Sequence, residues 1–499
     1  MPASSIRIAV FLLLSTGYGA HAVQAASIAD LARRQQWSEL KRELQSGAEV
    51  NAAHPDGTCA LHWAVWHESE QTVAELINAE ATVDPMNRYG VTPLWLACQN
   101  GNAAIAEMLL ESGADANIAL DGGETALMTA ARTGDATVVD LLIAAGADVH
   151  SRERNDQTAI MWAAAQGNAE VVRRLLRAGA ETGPQLRSGF DPLFFAVREG
   201  RRRVVDILLE SGMDVNSVMK PRSGGGRTPR SGTSPLMLAV ENGHFELAIG
   251  LLRAGADASD MRSGFTVLHA ITWVRKPNRG DGIDGDPPPT GSGGISSLDF
   301  VRAVVRDFGA DVNTRLERGR SGQGVLGQKG ATPFLMAADT ADVPLMRLLL
   351  QLGADPTIPN ADDCSPLLAA AGIGTKAPTE EAGTEDEALA AVKMLLDLGA
   401  NINAIDKNGE TAMHGAAYAS WPRMARLLTD RGADINTWNQ KNKYGWSPLL
   451  IAQGFRPGNF KPSHPTINAI EEIMLAAGVT PPPAPKRKTG NLEYRDDNN

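Results

Sequence analysis

Gly322-Gln323-Gly324-Val325-Leu326-Gly327 matches G-x-G-x-x-G, the spacing with which a glycine-rich loop cradles a pyrophosphate. That chemistry needs the loop to follow a buried strand and open a helix whose N-terminal N–H groups meet the phosphates. Here the motif interrupts a loop rich in glycine, arginine and serine, and no nucleotide is expected. Asp281, Asp284 and Asp286, ahead of three prolines, gather carboxylates that could hold Ca²⁺. Their spacing departs from the alternate-residue ladder of an EF-hand loop, so a solvated acidic loop is expected instead. His150, His244 and His464 stand far apart and form no ligand set at metal spacing. G-x-S-x-G, H-E-x-x-H, a phosphate-binding P-loop and a Cys/His pair are all missing from the sequence. The residues therefore predict no enzyme, no metal site and no cofactor.

The elements that would have to position a site explain why. Leu61, Leu94, Leu127, Ile160 and Leu193 follow one another at intervals of 33 residues, the signature of one supersecondary unit repeated along a solenoid. Such a chain has no single deep core in which a catalytic group would be buried, and its default use is a binding surface. The unit is clearest at 92–118. Thr92 suits an N-cap and Pro93 the first helical position, while Ala97 and Cys98 let a neighbouring repeat approach. Gly101 ends this first helix. Ile105, Met108 and Leu109 then set an apolar stripe on a second helix, Gly113 supplies its left-handed cap, and Ala114-Asp115-Ala116-Asn117 leads into a hairpin finger.

This pattern resembles the ankyrin family, with its T-P-L-H-x-A-A, glycine turn, apolar helix and G-A-D-V-N. Counterparts of Thr92-Pro93-Leu94 occur at Ala60-Leu61-His62, Thr125-Ala126-Leu127, Thr158-Ala159-Ile160, Asp191-Pro192-Leu193 and Ser234-Pro235-Leu236. They continue at Val267-Leu268-His269, Thr332-Pro333-Phe334, Ser365-Pro366-Leu367, Ala412-Met413-His414 and Ser447-Pro448-Leu449. The resemblance implies an all-α ankyrin-repeat solenoid of helix-turn-helix units with β-hairpin fingers, about eleven full repeats preceded by an N-terminal cap at 27–55. Regular repeats are expected over 56–216, repeats with insertions over 217–479, and a disordered tail over 480–499. By the same resemblance His62, His269 and His414 bond backbone within the stack. The helix-one residues just after the small pair face a concave groove: Trp66 and His67, Gln99 and Asn100, Arg132, Arg198 and Glu199, Glu241 and Asn242, Trp273, Asp339 and Tyr418. Large aromatics exposed without a partner are costly, so Trp66, Trp273 and Tyr418, with finger-tip Phe190, Phe265 and Trp446, are the expected anchors for a partner.

Departures from the period fall in the second half. The anchor-to-glycine interval, 19 from Leu94 to Gly113, becomes 41 from Leu268 to Gly309, 32 from Leu367 to Gly399 and 29 from Leu449 to Gly478. These insertions, at 275–297, 373–386 and 454–466, belong to the turn between helices in every second repeat and should form separate lobes about 20 Å apart. Fingers 217–232 and 315–330 are lengthened as well. Open loops favour a protein-binding scaffold, whereas loops folded over convergent polar groups favour a glycan or small-molecule binder or an enzyme.

Residues 1–26 place Arg7 before an apolar run from Ile8 to Leu14 and then Val23-Gln24-Ala25, the layout of a secretory signal peptide cleaved near Ala25 or Ala26. The run is too short to span a bilayer. An exported, periplasmic or secreted protein without a transmembrane segment is expected, and a secreted effector is the remaining alternative. Cys59, Cys98 and Cys364 are expected as small buried thiols rather than a disulfide. A net charge of −11 argues against nucleic acid. Against that balance, 170–230 carries twelve Lys/Arg and seven Asp/Glu, either a solvated face or a seat for an anionic partner. The sequence thus predicts a monomeric scaffold for a protein partner.

Overall fold

The computed structural model describes residues 27–485 apart from 184, 223–229, 278–286, 320–325, 379, 457–460 and 484. The signal segment 1–26, the carboxylates Asp281, Asp284 and Asp286, most of the G-x-G-x-x-G stretch and the tail from 486 lie outside the described residues. By internal contacts the chain divides into two units, Met1–Pro229 and Arg230–Asn499, a boundary inside the lengthened 217–232 finger.

The first unit holds the cap pair Ile28–Arg33 and Trp37–Gln45 followed by five helix pairs, and the second holds six. Within a pair the sequence signals act as they stand. Thr92 Oγ1 accepts from the Trp95 N–H at 3.2 Å, Pro93 opens Pro93–Asn100, and Gly101 ends it in the left-handed region. Asn102 Oδ1 caps Ala103–Glu111 through the Ile105 N–H at 3.0 Å. Gly113 follows at φ 92°, a conformation that a side chain would strain. Helix Pro93–Asn100 packs on Ala60–Trp66 and Ala126–Thr133, its counterparts in the adjacent repeats. All three cysteines are free and buried, and burial raises each thiol's pKa.

The histidines of the T-P-L-H position serve the stack. His269 Nδ1 accepts from the Thr266 N–H at 3.4 Å while Nε2 reaches the Ala331 carbonyl at 3.3 Å; His62 makes the same pair with Cys59 N at 3.3 Å and Val91 O at 2.9 Å. His414 Nδ1 likewise accepts from the Thr411 N–H at 3.2 Å. Burial holds His269 and His414 neutral, with pKa values pushed down to about 4.

The fingers differ from the expected β-hairpins. Among the described residues they are turns with isolated bridges, Ala53 to Cys59 and Ala119 to Thr125, and no strand. Side chains take over the work of a ladder. Asn51, Asn117, Asn313 and Asn403 each accept, at 2.8–2.9 Å, the backbone N–H of a residue in the following repeat. Asn117 and Asn313 also donate through Nδ2 to the carbonyls of Gly146 and Gly353, at 3.0 and 3.1 Å.

In the second unit the insertions separate Arg275 from Ser297, Ala370 from Glu385 and Ala452 from His464. Part of the extra sequence lengthens the second helix, since Glu385–Asp397 and His464–Ala476 run 13 residues where Ala103–Glu111 runs 9.

Asp84 occupies the asparagine's place in the finger ladder of the first unit. Its Oδ2 accepts the Asp115 N–H at 2.8 Å, but Oδ1, where asparagine would present Nδ2, is buried without a partner among the described residues. Burial raises this carboxyl's pKa. A raised acid pKa contributes stability at low pH that is lost as pH rises through it. Asp84→Asn should therefore raise unfolding free energy by about 1 kcal/mol at pH 7.5. The gain should shrink at pH 4, as urea unfolding at the two pH values will show.

Candidate partner-binding surfaces

In the first unit the residue three positions before each groove position shares its helix face, and the two together build the surface. Arg132, at the end of Ala126–Thr133, lays its guanidinium 5.2 Å from the ring centre of Trp162 in the next repeat and pairs with Glu124 at 3.7 Å. Arg198 stands 4.9 and 5.3 Å from the rings of Phe190 and Phe195 and pairs with the exposed Glu199 at 2.9 Å. Phe190, expected at an exposed finger tip, is instead 7% exposed, packed against Phe195 at 5.0 Å. Arginine covers the aromatic face that solvent would otherwise meet. Trp66 is half-buried, whereas Gln99 is nearly enclosed at 7% exposure.

Two residues expected to meet a partner are engaged within the fold. Asn100 Nδ2 donates to the Val65 carbonyl at 3.1 Å, and Asn168 repeats the link to Ala131 at 2.8 Å. His67 lies between Trp37 and Trp63, at 6.0 and 6.1 Å, with Nε2 against the Arg33 carbonyl at 3.2 Å. The basic stretch is also partly matched, since Arg174 pairs with Asp140 and Glu170.

The second unit has its own version of the motif. Phe265 and Trp273 meet edge to face at 5.1 Å, and Arg230 lies 5.1 and 5.2 Å from their centres while pairing with Glu241 at 2.7 Å. Burial raises the Glu241 pKa against that pairing. Both aromatics are half-buried, and Asn242 turns its amide onto the Leu238 carbonyl at 2.8 Å.

Tyr418 and Trp446 are corrections of a different kind. Tyr418 is 1% exposed and Trp446 6%, so neither is an open anchor. The Tyr418 hydroxyl donates to Glu410 Oε1 at 2.7 Å, and Asn442 Nδ2 donates to the same oxygen at 2.9 Å. Arg456, from the third insertion, donates to the carbonyls of Tyr418 at 2.7 Å and Thr375 at 3.2 Å, with its guanidinium 5.5 Å from the tyrosine ring centre. Burial pushes the Glu410 carboxyl up to about 7, Tyr418's hydroxyl bond opposing the shift, and brings Arg456 down to about 10. The Trp446 ring lies tilted against Tyr444 at 5.3 Å, and the Trp446 backbone N–H donates to Asn442 Oδ1 at 3.0 Å.

Nor are the insertions separate lobes. Lys276 of the first pairs with Glu387 just beyond the second, Arg275 clasps Asp342 at 2.7 and 3.0 Å, and Arg456 joins the third to the second. A Cβ on Gly415 would stand 2.7 Å from the Ala371 carbonyl, so only glycine lets the second insertion lie this close to helix Ala412–Tyr418. Asp339 is exposed at the end of helix Pro333–Asp339; the surrounding protein, and then the Glu381 charge, raise its carboxyl's pKa. Residues 31–119, 127–219 and 382–459 match the profile described as ankyrin repeats in three copies, and 231–262 and 329–361 the single ankyrin repeat.

The chain belongs to the ankyrin-repeat family. Stretches of it are similar to the ankyrin repeat and KH domain-containing protein mask-1 of Caenorhabditis elegans, 39% identical over 15% of this chain and 3% of the relative. Human ankyrin repeat and SOCS box protein 6 is 29% identical over 23% of this chain and 30% of its own length. Mouse protein phosphatase 1 regulatory subunit 27 is 36% identical over 15% and 49%. The chain thus spans less than half of each of these relatives. Among the described residues no helix is long and apolar enough to cross a membrane.

Sequence reasoning missed Trp162, Phe195 and Arg456, and took Arg230 only as one of the cations of the 170–230 stretch. The first two were findable, because a large aromatic three residues before a groove position lies on the same helix face.

Tyr418→Phe removes one of the two donors to buried Glu410 and should cost ~2 kcal/mol of stability, read as a lowered unfolding midpoint. An unchanged midpoint with loss of partner binding would return Tyr418 to the contact surface.

Proposed function

We propose that the chain is a non-catalytic scaffold that works in an exported compartment and holds a protein partner against the helix-one faces of its repeats. The observation that carries this reading is the repeated aromatic with an arginine on its face and a carboxylate beside it. Such groups offer wide, rigid, amphipathic contact area, the material of binding hot spots. Likeness to a protein named as a phosphatase regulatory subunit supports a binding component rather than a catalytic one. The absence of nucleophile and metal motifs from the sequence agrees. The net charge of −11 favours a protein over nucleic acid as partner, and the scaffold is read as a monomer. One observation favours a second reading, a glycan or small-molecule site beside the insertions: exposed Asp339, whose carboxyl's pKa is raised and which lies near Glu381 of the second of them. Around Tyr418, however, the hydroxyl, Glu410, Asn442 and Arg456 Nη1 are already bonded within the fold.

Export rests on residues 1–26. N-terminal sequencing of the purified protein should begin near Ala26 or Ser27; an intact Met1 in the cytoplasm would overturn it. The immobilised chain should capture a protein from a periplasmic extract, and Trp273→Ala should weaken that capture by ~2 kcal/mol in biolayer interferometry, Trp66→Ala by less. Undiminished binding by both variants would remove these anchors from the interface.

A further inference from the structure

At the finger tips of the first unit, one outward position recurs every 33 residues as Arg88, Asp121, Arg154, Arg187 and Lys220, all exposed. One place earlier, Asn87, Glu153, Leu186 and Met219 are buried. Neighbouring tips are tied together: the Arg154 N–H donates to the Gly122 carbonyl at 2.8 Å, the Arg222 N–H to the Arg187 carbonyl at 2.9 Å, and the Lys220 N–H to Gln185 Oε1 at 3.0 Å. Arg154, Arg187, Lys220 and exposed Arg222 thus stand on three successive fingers. On the helix faces of this unit Arg132, Arg174 and Arg198 each have a carboxylate partner. The four finger cations have none among the described residues. Local acids do not supply one, since 182–190 and 215–222 contain no Asp or Glu. Asp191 is buried and caps Pro192–Arg198 through the Phe194 N–H at 3.0 Å, and Glu153 turns onto the N–H groups of Asn155 and Gln157 at 2.9 and 3.1 Å. Like charges fixed on adjacent fingers repel, so the fold gains nothing from them. An anion from outside would reverse that sign.

We infer that Arg154, Arg187, Lys220 and Arg222 seat a short acidic stretch of the protein partner on the finger edge, an inference that rests on the scaffold reading and names what the partner brings. A long polyanion such as nucleic acid is disfavoured, because the chain's net charge of −11 repels it. Asp121, one finger before Arg154, also interrupts the cations, so the row has room only for a short segment. Neighbouring repeats lie about 8–10 Å apart. A polyproline-II segment, rising about 3.1 Å per residue with about three residues per turn, returns a side chain to the same face at nearly that interval. A glutamate at every third position therefore meets one finger after another.

The test uses the full chain and fluorescein-labelled nonapeptides of proline and alanine that carry three glutamates, either at every third position or in a row, with a lysine version of the spaced peptide as control. Anisotropy at low salt should show saturable binding of the spaced glutamate peptide, tighter than the contiguous one and weakening as salt is raised. Arg187→Gln combined with Arg222→Gln should weaken it about tenfold, as the loss of two exposed charge contacts would. Arg177→Gln with Arg203→Gln changes the net charge equally at exposed positions on the second helices and should leave binding unchanged. The finger variant should also melt no lower than the wild type. A lower melting temperature would mean that these side chains serve the fold and would overturn the inference. Equal weakening by the two double variants, indifference to glutamate spacing, preference for the lysine peptide or for a thymidine oligonucleotide, or no binding at all would overturn it too. Capture of an extract protein by wild type and finger variant alike would reject this seat and leave the scaffold reading standing. Failure of the wild type to capture any protein would instead reject the scaffold.

Discussion

A helix pair of some twenty residues has no inside of its own. Ala97 and Cys98 on one helix and Ile105, Ala106 and Leu109 on the next are fully buried only because the adjacent pairs lie against them. Every other feature follows from this borrowing of a neighbour's surface. Small residues are required where helices approach, and histidine or asparagine where a backbone group would otherwise lose its partner across the joint. The face of the first helix that no neighbour covers is left to vary, which is why the arginine-on-aromatic groups gather there.

Much of this was legible because a repeat writes each instruction many times. Thr92, Pro93, Gly101 and Gly113 announce a helix pair by local chemistry alone, and the 33-residue interval places the next one without knowledge of any contact. The same logic placed the three insertions between paired helices, within a few residues of where those helices end and begin. Where the insertions go was not legible, because it depends on contacts between residues far apart in sequence, such as Arg456 with Thr375 and Tyr418. Periodicity put Tyr418 in the groove row, but it cannot report that Arg456 of a later loop packs against it. Strand content in the fingers was over-read for a related reason. Residues that suit a hairpin can meet their hydrogen bonds through Asn117 or Asn313 side chains instead of a backbone ladder.

The two units use their helix-one faces differently. In the first, the row from Trp66 to Glu199 carries no inserted segment between helices; Trp66 and Trp162 are half-buried, the latter under arginine, and buried Phe190 lies under another. In the second, the row is open at Phe265 and Trp273 but closed at Tyr418, where Glu410, Asn442 and Arg456 complete a buried polar cluster. The described residues of the second and third insertions thus pack against the later repeats.

The bond from Arg456 to Thr375 spans 81 residues of chain and bridges repeats that are not consecutive. An array held solely by nearest-neighbour contacts can gain or lose a member by unequal recombination, because any unit fits any other. Here the spacing between the second and third insertions has become part of the structure. Duplicating or deleting the helix pair Ala412–Tyr418 and Pro422–Asp430 would carry Arg456 away from its acceptors and leave a guanidinium buried with nothing to hold. Drift in repeat number, the ordinary mode of evolution for such chains, is thereby closed off in this part of the protein and remains open over residues 56–216.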